Sequence, residues 1–327
     1  MESGGGGDYD AAFAQGMAYA AKARAELGDA ENARGIYEVL MTKGSEIKGK
    51  HALETTAAML GLLNVWEEES AAERKAHAPQ VKAICARLLK MCDGGEDGAQ
   101  WLHGTESVDV PYVGPMDARR LRLHANAHLG SMHHEMQDYD EALASFDNAI
   151  EAGEAGEHAP GAADARAELV MALNGKAQLT QSLALRAAGA TPSEAVQTTG
   201  DVERQQTLAK DDLPDDAKRL FREATALGLR ALQLARDLAE EEKDEEGDAA
   251  EDDGHGATSP MLLAIYCTLG DIAFTMRNKR LCTMNYTHAA RQSMRCYGND
   301  HPETKRVLAL LSFAQSHTAV GKPVDAM

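Results

Sequence analysis

Apolar residues recur three and four positions apart along most of the chain, a spacing that predicts helices rather than strands. The clearest stripe is Leu220, Ala224, Leu227, Ala231, Leu234 and Leu238, on a helix that Asp215 is expected to cap. Val81, Ile84, Cys85, Leu88 and Leu89 predict a second helix over 80–92. Leu169, Leu173, Leu179 and Leu183 lie in a long one over 162–188, and Val307, Leu308, Leu311 and Ala314 in a last one over 305–318. Further helices are expected from Ala11 and over 51–69. Polar or Gly/Pro-rich breaks separate them, at 70–79, 93–98, 153–161 and 190–214, the last with capping signals for a short helix at Thr191 and Ser193. Residues 101–115, with two prolines and Trp101, read as a crossing segment or an insertion. Long β-branched runs are scarce, so the chain reads as all-α.

Several helix pairs share one pattern. Leu129-Gly130 ends in a polar turn at Gln137-Asp138, and Ala142, Phe146 and Ala149 follow on the next helix. Asp138 with Glu141 matches a capping box. Gly28-Asp29 with Ala33 and Tyr37 matches that turn and second helix, with Ala21 in the place of Gly130. Leu269-Gly270 matches it with Arg277-Asn278, Cys282, Tyr286 and Ala289. Leu60-Gly61 begins a more degenerate copy. The pattern resembles the tetratricopeptide repeat, a 34-residue helix-turn-helix unit whose apolar face is buried only by stacked neighbours. Units 14–47, 123–156 and 263–296 carry the resemblance, about a third of the chain. It implies an all-α superhelical array of antiparallel helix pairs, an α-solenoid. Expected boundaries are a disordered N-terminus over 1–10, an array over 11–239, an acidic disordered loop over 240–258, a last repeat with its capping helix over 259–320, and a tail over 321–327. The link Gly298-Asn299-Asp300-His301-Pro302 is similar to the connector in the long-period repeats of kinesin light chains.

Composition narrows the picture. Hydrophobic residues are 44% of the chain but aromatics only 5%, so the core must be built from Ala, Leu and Met. Net charge is -19, which argues against wrapping nucleic acid. No apolar run reaches the roughly 18 residues of a membrane span. The N-terminal stretch is acidic and Gly-rich, without the basic start and apolar stretch of a signal peptide, so a cytoplasmic chain is expected. The five cysteines sit at helical positions and read as reduced, packed thiols. Residues 240–253 hold ten acids and Lys243, while Arg277, Lys279, Arg280, Arg291, Arg295, Lys305 and Arg306 face only Asp300 and Glu303 between 277 and 306. Two readings of the acidic run stand side by side: a solvated linker, or a loop that folds back on this basic end and competes with an acidic partner.

His124, His128, His133 and His134 invite a metal reading, since His124 and His128 share a helical face at zinc-chelating spacing. Glu135 does not complete a His-Glu-x-x-His arrangement, and the histidines are read as groove and packing residues instead. Gly175-Lys176 lacks the upstream glycine of a phosphate loop. In the resembling family the first helix of each pair lines a partner groove. Transferred by position, that groove holds Gln15 and Lys22 in the first repeat, His124, Ser131, His134 and Glu135 in the central one, and Asp271 and Phe274 in the last. Ala127 and Ser131 stand where a chaperone-binding carboxylate clamp would place Lys and Asn, which argues against that clamp. The resulting expectation is a non-catalytic scaffold or adaptor, with no cofactor and no metal. It would grip a peptide or helical segment of a protein partner, or be built into a large assembly, with a cytoskeletal, ciliary or motor-associated setting suggested by the connector. A cochaperone or regulatory subunit, and a metal-dependent enzyme using the histidines, are the alternatives.

Overall fold

The computed structural model describes residues 5–27, 29–93, 99–102, 107–155, 162–190, 213–246 and 259–316. These are almost wholly helical: α1 Gly5–Leu27, α2 Ala30–Ile47, α3 Leu53–Glu68, α4 Ala71–Cys92, α5 Ala118–Glu135, α6 Tyr139–Glu154, α7 Ala162–Ala187, α8 Asp215–Glu246, α9 Pro260–Thr275, α10 Lys279–Tyr297 and α11 Pro302–Ser316. Between α4 and α5 lie a single 3₁₀ turn, Gln100–Leu102, and an antiparallel ribbon of β1 (Val108–Val110) and β2 (Gly114–Met116) in register Val110↔Gly114. The chain forms two compact units, Met1–Met136 with Glu151–Ala162, and Gln137–Ile150 with Ala163–Met327. The boundaries fall in the turn between α5 and α6, within the last turn of α6 and at the start of α7.

In the first unit α1 to α5 each pack on the next helix in sequence. Phe13, Met17, Tyr37, Leu60, Leu63, Leu88 and Met91 are buried in one shared core. Glycines permit close approach: a Cβ on Gly61 of α3 would lie 2.5 Å from the Tyr37 ring of α2, and one on Gly44 of α2 would lie 2.8 Å from Tyr9 Oη of α1. Two expectations change here, and a third, open between two readings, resolves to an ordered crossing segment. Residues 5–10 are helical, and Tyr9 is buried while Asp10 pairs with Lys48 at 2.7 Å. The polar stretch 70–79 is the first half of α4 rather than a break. Ser70 caps it in a capping box with Glu73, and the helix continues through Pro79. Residues 99–102 and 107–116 are held against the helices. Trp101 Nε1 donates to the His51 carbonyl at 2.8 Å, Val110 and Met116 are fully buried, β1 lies on α3, and Tyr112 Oη donates to the Ala14 carbonyl of α1 at 3.2 Å.

The second unit repeats the aromatic-on-glycine device. A Cβ on Gly175 of α7 would meet the Phe146 ring at 2.6 Å, and one on Gly270 would meet Tyr286 at 2.6 Å. Ala184 and Leu185 of α7, Phe221 and Ala224 of α8, and Ile272 and Met276 at α9 share a core. Ala273 of α9, Cys282 and Tyr286 of α10, and Leu310 and Ala314 of α11 form another. The turn Met136-Gln137-Asp138 recurs as Met276-Arg277-Asn278, with Gln137 at φ 67° and Arg277 at φ 57°, and the Asn278 side chain accepts from Leu281 N. Gly298, at φ 81°, ends α10 and accepts a hydrogen bond from Thr304 Oγ1 at 2.8 Å, so the short link to α11 is ordered. The helix starts at Asp215 itself, with Pro214 at the cap. It also runs on to Glu246, into the stretch expected to be disordered, and the Arg166 guanidinium grips Glu241. The rest of the acidic run, the short helix expected at 191–193 and the tail over 321–327 lie outside the described residues.

Candidate functional site

A polar constellation lies where the α3–α4 turn meets α2 and α5. Glu69 ends α3, and its side chain is only 2% exposed. Arg34 Nε of α2 lies 2.7 Å from Glu69 Oε1, and His77 Nδ1 of α4 lies 2.7 Å from Oε2. Arg34 Nη1 lies 2.8 Å from His77 Nε2. A guanidinium only donates, so His77 accepts at Nε2 and carries its proton on Nδ1, pointed at Glu69. Arg74 closes the other side. It donates to the Glu69 carbonyl at 2.7 Å and the Glu67 carbonyl at 3.3 Å, and Nη2 pairs with Glu135 of α5 at 2.6 Å. A cation at these last carbonyls also opposes the negative end of the α3 dipole.

Beside it, Glu67 Oε1 lies 3.1 Å from Nδ1 of the buried His128, and His128 Nε2 meets His124 Nε2 at 3.1 Å. Burial favours the protonated Glu67 carboxyl, but His128, His124 and Arg74 outweigh it and hold the group below the usual carboxylate range. One imidazole must donate to the other across the 3.1 Å contact, so the two Nε2 lone pairs do not both point at a common ion. Among the described residues no group of three His, Cys, Asp or Glu side chains is placed to hold a metal. His134 is half-buried, and burial lowers its pKa to about 4.

The expected groove residues divide. Gln15 and Lys22 are exposed on α1, and Ser131 and Glu135 are half-buried on α5, Glu135 in the pair with Arg74. Asp271 is a correction: it is 1% exposed and accepts from Tyr286 Oη at 2.5 Å inside the core. Phe274 packs on Phe313 of α11, ring centroids 5.7 Å apart, rather than facing a partner. In the last repeat the first helix is therefore covered by α10 and α11.

The basic end is partly neutralised within the chain. Lys279 Nζ donates to the Gln315 carbonyl at 3.2 Å, Lys305 lies 3.8 Å from Asp300, and Arg306 holds Glu303 at 2.7 and 2.8 Å. Arg280 and Arg291 are exposed, and neither forms an ion pair among the described residues. All five cysteines are free thiols. Burial raises Cys92, Cys267 and Cys282 to about 12 and keeps them unionised at neutral pH. Among the described residues no helix is long and apolar enough to cross a membrane. Two features were hidden from the sequence: Gly175, which is the repeat glycine under Phe146, and the Arg34–Glu69–His77 cluster, whose members are up to 43 positions apart. A glycine inside an Ala/Leu-rich helix was the available signal for the first. No protein-family model matches the sequence, and no curated protein sequence matches it.

Proposed function

We propose that the chain is a non-catalytic protein-interaction scaffold of the tetratricopeptide kind, binding a peptide or helical segment on the surface of its first helices. The supporting observation is the recurrence, in both units, of aromatic-on-glycine packing between successive helices. Such arrays bury their apolar faces on neighbouring repeats and leave polar helix faces for partners. The ribbon 108–116 lies on α1 and α3, so in the first unit the binding face centres on α5 around Ser131. The test is peptide-display selection against the full chain, repeated with Ser131→Arg, which plants a long side chain on a half-buried position of that face. Enriched peptides should bind wild type with micromolar Kd and lose about tenfold or more on the variant. Enrichment that ignores Ser131→Arg would refute the placement, and failure to enrich any peptide would refute the function.

A cytoskeletal setting is supported by the Gly298 to Pro302 link, which the structure orders between two helices. Microtubule co-sedimentation tests it, with no pelleting at low salt as the negative result.

A further inference from the structure

A second surface lies across α8, α9 and α10 of the second unit. Tyr266 of α9 is buried, and its ring stacks on His288 of α10 with centroids 5.0 Å apart and planes at 19°. Arg236 of α8 donates from Nη2 to Tyr266 Oη at 2.7 Å, and its guanidinium lies 5.9 Å from the ring centroid. Arg291 follows His288 by three positions on α10, one turn along the same face. Tyr266 thus fixes two of three basic groups into one cluster. Arg236 and Arg291 are both exposed, and neither forms an ion pair among the described residues. Burial lowers the His288 pKa, and Arg291 and Arg236 push the same way with no carboxylate opposing them. Arg236 and Arg291 thus place two exposed guanidinium groups on one face of a chain of net charge -19.

Apolar side chains flank the cluster. Leu229 is 51% exposed seven residues before Arg236, and Met284 is 45% exposed seven residues before Arg291. Seven residues are two helical turns, about 10 Å. Each outer helix therefore presents a cation and, about 10 Å away on the same face, an exposed apolar residue.

We infer that this face binds an acidic peptide segment of a partner protein, with carboxylates on Arg236 and Arg291 and an apolar side chain between Leu229 and Met284. Guanidinium forks match carboxylates bidentately, which favours such a ligand over a diffuse counterion. The chain's overall negative charge disfavours a long polyanion such as nucleic acid. The apolar flank adds contact that a small inorganic anion would leave unused. The surface is separate from the α5 face, and the inference does not rest on that reading.

The test is fluorescence anisotropy on the full chain with a fluorescein-labelled probe, Leu-Ala-Gly-Glu-Glu-Asp-Glu-Asp, at about 50 mM salt, where screening is modest. Wild type should bind, and Arg236→Glu with Arg291→Glu should weaken binding about tenfold or more. Arg291→Glu alone touches nothing in the core and should weaken it about threefold or more, which guards against an effect through Tyr266. Lys75→Glu with Lys82→Glu makes the same change in net charge on exposed residues of the other unit and should shift affinity less than about twofold. Met284→Ser should also weaken binding, about threefold, because it removes the apolar flank. The inference is overturned by absence of binding at about 200 μM chain, or by equal losses in the control pair. Tighter binding of a single-stranded oligonucleotide through the same arginines, or arginine-dependent self-association in sedimentation, would overturn it as well.

Discussion

Gly61→Ala isolates the physics of the helix stack. The added Cβ would lie 2.5 Å from Tyr37 Cε1 and 2.7 Å from Cδ1 and Cζ. Carbon atoms in contact sit about 3.5–4.0 Å apart, so the ring or α3 must retreat by about 1 Å. Tyr37 is 4% exposed and bounded by the core, so neither moves cheaply. Overpacking of this size costs about 1–3 kcal/mol. Alanine in place of glycine inside a helix returns about 1 kcal/mol. Gly35→Ala on α2 separates the two terms, because nothing lies within 4 Å of its added Cβ. Gly35→Ala should therefore stabilise by about 0.5–1 kcal/mol, and Gly61→Ala should fall about 1–3 kcal/mol below it. Both tryptophans, Trp66 and Trp101, belong to the first unit, so urea unfolding followed by tryptophan fluorescence reads that unit. In a Tyr37→Leu background Gly61→Ala should become neutral or stabilising, a coupling of about 1–2 kcal/mol. Equal midpoint shifts for Gly61→Ala and Gly35→Ala would refute the argument.

Four further outcomes follow from the same geometry. Tyr286→Phe removes the donor to buried Asp271 and should cost about 1.5–3 kcal/mol in urea unfolding followed by circular dichroism; a loss under about 0.5 kcal/mol would mean that the hydrogen bond contributes nothing net. Glu69→Ala leaves Arg34 and His77 without their carboxylate and should cost about 3 kcal/mol, read by tryptophan fluorescence. The His134 pKa is lowered in the folded chain, so its contribution is complete above pH 6.5 and is lost as pH falls toward about 4. His134→Leu should remove up to about 3 kcal/mol of that acid dependence, and an unchanged stability-versus-pH slope would count against a half-buried neutral imidazole. Thiol titration of the native chain at pH 8 should modify at most the two half-buried cysteines, Cys92 and Cys296, and denaturant should release the other three.

The all-α class and most helix positions were readable because apolar periodicity reports them directly. The N-terminal half of α4 was not, because its helix face is occupied by charges: Arg74 and His77 pair with Glu135 and Glu69 instead of entering an apolar core. The same limit hid the helical part of the acidic run, where α8 continues with Glu241 held by Arg166. The surface transferred by position to Asp271 failed for a different reason. Repeat position identifies a side of the helix, but α10 and α11 cover that side of α9, and no local pattern announces a covering neighbour. The α8–α10 cluster joins residues 236, 266, 288 and 291, and only Arg291 stood out in the sequence, as part of the basic end.

The ribbon between α4 and α5 alters how the first unit can come apart. A stack of helix pairs is nearly one-dimensional: each pair touches its neighbours and the ends can fray separately. Tyr112 reaches Ala14 across 98 positions, and Trp101 reaches His51 across 50. The first bond fastens α1, and the second the α2–α3 connection, to a segment that follows α4. Amide hydrogens of α1 should then exchange through the same global opening that releases α3, not through early loss of a terminal helix. Forming such distant contacts also raises the contact order of an otherwise local fold, so this unit should fold more slowly than a ribbon-free helical stack of its size.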